Sequence, residues 1–190
     1  MLSYDPFFTA DLHLGHANCI KYCNRPFPSS HEMNKALIEN WNSVIGETDD
    51  VFLVGDVSFS GLDQTCRMLE TMNGKKFLIA GNHDARLRRK NEFVKCFEWV
   101  KDYHELTVQD EDAPAGRQLV VLCHFPLLSW NRSRYGSWMV HGHCHGQLNN
   151  ESRGIKRHDC GVDPNNYLPL RYSQLKTIFS QRAAIDIDQA

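Results

Sequence analysis

No stretch of this chain is apolar enough to cross a bilayer, since a spanning helix needs about 20 apolar residues and the longest runs here are far shorter. The first residues, Met1-Leu2-Ser3-Tyr4-Asp5-Pro6, lack a basic region followed by an apolar core, so no secretory signal is expected. The seven cysteines form no Cys-x-x-Cys pair, and the helical i,i+4 spacing of Cys19 and Cys23 fits no common zinc knuckle. Reduced thiols in a cytoplasmic protein are the simplest expectation. Neither sign of charge dominates: 21 Lys+Arg stand against 23 Asp+Glu, a net −2. That balance argues against a general nucleic-acid coat or a basic membrane-surface protein, though not against a nuclease, which needs only local positive charge. Internal repeats, low-complexity tracts and linkers are also lacking, so residues 1–190 read as one domain of ordinary size.

What the chain has in excess is histidine, ten in 190 residues. Its 42% hydrophobic and 23% charged residues are those of a globular protein able to bury a core without disulfides. Five short apolar runs punctuate it, each closed by a polar cluster. Phe7–Ala10 leads into Asp11-Leu12-His13, and Val51–Val54 into Gly55-Asp56. Phe77–Ala80 leads into Gly81-Asn82-His83-Asp84, Leu119–Cys123 into His124, and Trp138–Val140 into His141-Gly142-His143-Cys144-His145. Such runs read as buried strands. Ligands of layered α/β proteins gather at the carboxyl ends of strands, so five ends carrying Asp, Asn and His predict one shared site.

Helices are expected between the strands. Ser29-x-x-Glu32 is a capping box followed by Met33, Leu37, Trp41, Val44 and Ile45 at helical spacing, with Gly46 at C′. Leu62, Cys66, Leu69 and Met72 make a second face closed by Gly74. A third helix is expected from near His83 through Leu87 toward Phe93, and a fourth from Ser173. Asp102–Val108 and Arg117–Cys123 look like strands joined by a polar loop, with two or three further strands between Ser137 and Asp163. Ala183–Ala190 reads as a loose tail or an edge strand.

Sorted by donor type, the clusters supply Asp11, His13, Asp56, Asn82, His124, His143 and His145. Oxygen and imidazole donors without thiolates suit Mn²⁺, Fe, Zn²⁺, Co²⁺ or Ni²⁺. Seven ligands are too many for one catalytic ion with open positions. Two ions sharing a carboxylate use them comfortably, with Asp56 as the bridge, and a metal pair is a standard device for phosphoester hydrolysis.

Together, Asp11-x-His13, Gly55-Asp56, Gly81-Asn82-His83-Asp84, His124 and Gly142-His143-x-His145 resemble the motifs of the calcineurin-like metallophosphoesterases, in the family's order and with no position substituted. The stretch Asp11–Asn18, with its second histidine His16, and the Tyr22–Phe27 stretch that follows look like a small bacterial or phage branch. The resemblance implies an α/β fold, a four-layer α-β-β-α sandwich of two mixed sheets with a dinuclear metal site at one end. It implies one ion held by Asp11, His13, Asp56 and His145, and another by Asp56, Asn82, His124 and His143. Manganese is the expected metal. His83 would face the substrate, and Asp84 would orient its other ring nitrogen. The family also allows a homodimer, though no long apolar stripe demands one.

Other readings compete at single residues. Asp84 also fits a helix cap. His16 fits a substrate contact or a loop brace equally. His31, His104, His141 and His158 read as surface or packing residues, and Cys144 as a packed thiol. Arg86, Arg88, Arg89 and Lys90 read first as a solvated helix face, with phosphate binding as the second reading. Arg25, Arg132 and Arg134 are candidates for gripping a second phosphate or a nucleic-acid backbone, with Trp130, Tyr135 and Trp138 nearby to stack on a base or fill the core. The resulting expectation is a phosphodiesterase acting on a nucleotide-type or nucleic-acid substrate. The alternatives are a phosphomonoesterase for a small metabolite or phosphoprotein, and a metal-braced interaction module without turnover.

Overall fold

The computed structural model describes residues 4–148 and 155–182. Two mixed sheets lie face to face, the arrangement the motif resemblance implies. In the first, β1 (Phe7–Thr9), β2 (Asp50–Leu53), β3 (Lys75–Ile79) and β4 (Trp99–Lys101) are parallel neighbours in the order β4-β3-β2-β1, and β9 (Leu170–Arg171) joins β1 antiparallel. The second has the order β5-β6-β7-β8. In it β5 (Tyr103–Gln109) is antiparallel to β6 (Arg117–Cys123), which runs parallel to β7 (Trp138–His141) and β8 (Arg157–Asp159).

Strand alternation sorts the apolar side chains into two cores. Phe8, Phe52 and Ile79 of the first sheet point inward and meet Val108, Val120, Leu122, Trp138 and Val140 of the second. Phe7, Val51, Leu53 and Leu78 point outward, against Met33, Leu37 and Trp41 of α2 (Ser30–Val44) and Leu69 of α3 (Leu62–Glu70). With both faces covered, β1 is buried along its whole length, which is why it reads as a continuous apolar run. Over the second sheet the outer layer is thin. Val121 and Met139 are capped by Trp130, from a loop whose only regular element is the 3-10 turn Ser133–Tyr135. Helix α5 (Tyr172–Ser180) puts Tyr172, Leu175 and Phe179 into the core between the sheets.

Most expected elements appear within a residue or two, with informative exceptions. Ser29 caps α2, its Oγ accepting from the Glu32 amide at 3.2 Å and donating to the Glu32 carboxylate at 2.8 Å. The helix then ends on extended Ile45, and Gly46 is held by Asp49 rather than serving as a left-handed cap. Helix α3 stops at Glu70, with Thr71 closing it ahead of left-handed Gly74. The expected third helix is instead two 3-10 turns, Asn82–Ala85 and Leu87–Arg89, then the single turn α4 (Asn91–Val94), because extended Lys90 interrupts the run. The short strands β4 and β9 carry too few residues to show an alternation. Residues 183–190, expected as tail or edge strand, lie outside the described residues. Among the described residues no helix is long and apolar enough to cross a membrane.

The core between α2 and the first sheet centres on Trp41, which is buried and donates its indole N–H to the Asn73 carbonyl at 2.9 Å. Trp41→Ala should lower the unfolding free energy by about 3–5 kcal/mol in urea denaturation. A loss below about 1 kcal/mol would contradict this packing.

Candidate metal centre

All five polar clusters converge because β1, β2, β3, β6 and β7 present their carboxyl ends at the same end of the sandwich. Two hydrogen bonds tie the sheets together there. His124 donates Nδ1–H to the Val54 carbonyl at 2.8 Å, and the His143 amide donates to Asp11 Oδ2 at 2.9 Å. Glycine permits this closeness. A Cβ on Gly81 would sit 2.2 Å from Asp56 Oδ1, and one on Gly142 would sit 2.6 Å from Asp11 Oδ2.

Asp56 is the centre of the cluster. Its Oδ1 accepts from the His83 amide at 2.9 Å. Its Oδ2 lies 3.7 Å from His13 Nε2, 3.4 Å from His124 Nε2 and 3.9 Å from His83 Nε2. Asp11, His13 and Asp56 form one compact donor group, and Asp56, His124 and His143 form another, so Asp56 belongs to both. Asn82 Oδ1 stands 3.1 Å from His124 Nε2, and the His145 ring stacks on His13 with centroids 5.2 Å apart. All seven residues expected as ligands are therefore brought together.

The donor set fits divalent cations. Asp11 is fully buried, yet its Oδ1 has no hydrogen-bond partner, and both ring nitrogens of His13 are likewise unpartnered. Without a cation, burial pushes the Asp11 carboxyl up to about 7. Burial also holds the His13 imidazole neutral, down to about 3, in the form that ligates metals. At Asp56 burial again works upward, but the hydrogen bond and charge of His124 outweigh it and hold the carboxyl down to about 2. Orphaned donor atoms around ionised carboxylates are what a bound cation satisfies.

The rings expected as ligands are oriented from behind. His124 spends Nδ1–H on Val54, leaving Nε2 toward Asp56. His145 places Nδ1 2.6 Å from Asp163 Oδ2 and 3.3 Å from Cys23 Sγ. Burial opposes its protonation, but the Asp163 hydrogen bond outweighs this and lifts the ring to about 10. Cys23 is also 3.6 Å from Cys19 Sγ, and hydrogen bonds from Cys19 and His145 pull its thiol below the ordinary value.

Several expected roles need correction. Arg25 does not reach for substrate. It is buried and forks onto Asp163 at 2.8 Å through Nε and Nη2, while Nη1 and Nη2 donate to the carbonyls of Leu12 and Asp11. It braces the turn carrying Asp11 and His13 and fixes the carboxylate behind His145. Asp84 does not bond the His83 ring. Its carboxylate accepts the amides of Asp56, Val57 and Gly81 at 2.8–2.9 Å, an anion satisfying backbone donors where two strand ends meet. Arg132 and Arg134 lie beside Tyr135 on the loop that precedes β7. Trp130 and Trp138 are buried in the cores. Within the basic run, Arg88 pairs with Asp102 and Arg86 reaches the Ser60 carbonyl.

His83 does face outward, its side chain 46% exposed. His16 lies flat on Phe59, centroids 3.8 Å apart, and Phe59 also touches His83 at 4.7 Å. Phe125 lies 4.8 Å from His143 on the other side. Two half-exposed phenyl rings thus flank the ligand cluster. These two rings and the Asp163–Arg25 brace escape the sequence patterns. The Gly161-Val162-Asp163 stretch after β8 is the signal for the brace, a sixth strand end closed by a carboxylate.

Comparison with known proteins agrees. The sequence model described as calcineurin-like phosphoesterase matches residues 7–164. An uncharacterized protein of Methanocaldococcus jannaschii, MJ1445, is 34% identical over 170 residues, covering 86% of this chain and 85% of its own. The Gene 66 protein of Mycobacterium phage L5 is 28% identical over 163 residues, covering 75% and 78% respectively. A crystal structure of AQ665 from Aquifex aeolicus, a protein of unknown function, superposes with a TM-score of 0.70 at 20% identity. It covers 93% of this chain and 100% of that one, which shows a shared fold.

The Asp163 brace is testable. Asp163→Asn should weaken Mn²⁺ binding about 10–100-fold by isothermal titration, with the circular dichroism spectrum unchanged. Unaltered affinity in the folded variant would remove Asp163 from the support of His145.

Proposed function

The chain belongs to the calcineurin-like phosphoesterases, and from that premise we propose that it is a dinuclear-metal phosphodiesterase acting on a nucleotide-type substrate. The observation that carries the metal reading is the double membership of Asp56 in two donor groups. Asp11, His13, Asp56 and His145 would hold one ion, and Asp56, Asn82, His124 and His143 the other, with Mn²⁺ the first choice for this oxygen and imidazole set. When bound, the ions would neutralise charge on the phosphoryl group and acidify the attacking water.

The protein's own contribution is positioning. The carboxylates of Asp11 and Asp56 are held by backbone amides, and His124 is fixed in one tautomer, so the ligands need little reorganisation. His83 is anchored by its amide to Asp56 while its ring stays open to solvent. That ring would donate a proton to the leaving oxygen. The preference for a nucleotide rests on Phe59 and Phe125, part-exposed rings beside His83 and His143 against which a base would pack. Free thiols at all seven cysteines support a reducing cytoplasmic setting. We read residues 1–190 as one catalytic unit.

With Mn²⁺ supplied, the protein should hydrolyse bis-p-nitrophenyl phosphate faster than p-nitrophenyl phosphate, and lose activity on chelation. His83→Ala should lower kcat about 10²–10⁴-fold with metal content unchanged. No hydrolysis of either ester at full metal occupancy would leave only the non-catalytic module. Preference for the monoester would replace the diesterase reading.

A further inference from the structure

A sizeable cavity lies away from the metal centre. It holds about 470 Å³ on the outer face of the second sheet, lined in part by Thr107, Arg117, Gln118, Arg132, Tyr135 and Ser137. These residues lie at the amino ends of β6 and β7, whereas His124 and His143 follow the carboxyl ends. Leu119 in the cavity wall and His124 are roughly 17 Å apart along the strand, at about 3.4 Å per residue.

Charge in this cavity is one-sided. Neither Arg117 nor Arg132 forms an ion pair with a carboxylate among the described residues. Nearby acids are already engaged, Asp110 and Asp112 with Lys176 at 2.6 Å each, and Glu105 with the Asn131 amide. Lys156 adds a further cation, its Nζ 3.8 Å from where a Cβ on Gly136 would stand. The Tyr135 ring is 64% exposed and has the Arg132 and Arg134 guanidinium carbons 5.9 and 5.0 Å from its centroid. With two arginines and no carboxylate in its lining, the cavity favours an anion.

The loop is pinned rather than loose. Trp130 is buried and donates to Ser137 Oγ at 3.0 Å, while the Tyr135 and Ser137 amides both donate to the Arg132 carbonyl. Arg132 itself is held in a left-handed conformation, φ +59°. The backbone that carries Arg132 and Tyr135 is therefore already ordered, which lowers the ordering cost of binding.

We infer that this cavity is a second, non-catalytic site for a nucleoside phosphate, with the phosphate gripped by Arg117 and Arg132 and the base stacked on Tyr135. Arginine forks suit phosphate oxygens, and a tyrosine face accepts any base. The same chemistry is presented by a free nucleotide and by one nucleotide of a single strand.

The test is fluorescence anisotropy on the Mn²⁺-loaded full chain, with ribose-labelled AMP and a labelled ten-nucleotide phosphorothioate oligothymidylate as probes. Wild type should bind at least one probe. The double variant Arg117→Ala with Arg132→Asn, asparagine being tolerant of the left-handed backbone, should weaken that binding about tenfold or more and flatten its salt dependence. Tyr135→Leu should weaken it while keeping the charges. Hydrolysis of bis-p-nitrophenyl phosphate should be the same in all three. Tighter binding of AMP assigns the site to free nucleotides, and tighter binding of the oligomer assigns it to single-stranded nucleic acid. Failure of wild type to bind either probe, or equal binding by wild type and the double variant, overturns the inference. Binding without hydrolysis would count against the phosphodiesterase reading and leave this site standing.

Discussion

Left-handed backbone at the strand ends is the constraint on which the rest of this structure depends. Asp11, His13, Asp56, His143 and His145 have φ of +57°, +50°, +56°, +72° and +49°. A chain leaving a buried parallel strand must turn at once if its side chains are to converge on a point between two sheets. The left-handed region makes that turn, at a cost of about 1 kcal/mol or more for a residue with a side chain. Asp, Asn and His tolerate it best, and they are also the residues that bind hard and borderline cations. Turn chemistry and ligand chemistry therefore select the same residues.

Carboxylates offset much of that strain by satisfying the amides the turns expose. Asp84 takes three amides at the junction of β2 and β3. Asp11 takes the His143 amide and Asp56 the His83 amide, each joining separate loops. Asp159 ties Gly146 to Gly161 in the same way. Behind them, Arg25 reaches from the segment after α1 (Ala17–Tyr22) to Asp163, and so couples the first ligand turn to His145. The candidate ligand set is consequently pre-formed around orphaned donor atoms. Such a site suits differential stabilisation of a phosphoryl transition state better than a site that must assemble on binding.

How far this was legible in the sequence follows from the range of each interaction. The strands before Asp11, Asp56, Asn82, His124 and His143 show as apolar runs because burial on both faces is a local pattern. The glycines preceding Asp56, Asn82 and His143 are part of the same local signal, and Gly81 and Gly142 mark close backbone approach. The destination of a long side chain is not local. Arg25 and Arg132 look alike in sequence, yet one is buried as a brace and the other lines a separate cavity. Asp84 has the composition of a histidine partner, and only the proximity of β2 shows that its oxygens belong to backbone amides. The segment from His83 to Phe93 has helical spacing, but the His83 amide is committed to Asp56, the Asp84 carboxylate is taken up by amides of the neighbouring strand ends, and Lys90 is extended.

The central claim is that one carboxylate, Asp56, joins two cation sites. Electron paramagnetic resonance of protein titrated with Mn²⁺ tests it most directly. The account predicts that saturation takes two equivalents and yields the broadened spectrum of an exchange-coupled pair, lost in Asp56→Asn. Saturation at one equivalent, with the spectrum of an isolated ion, would contradict it.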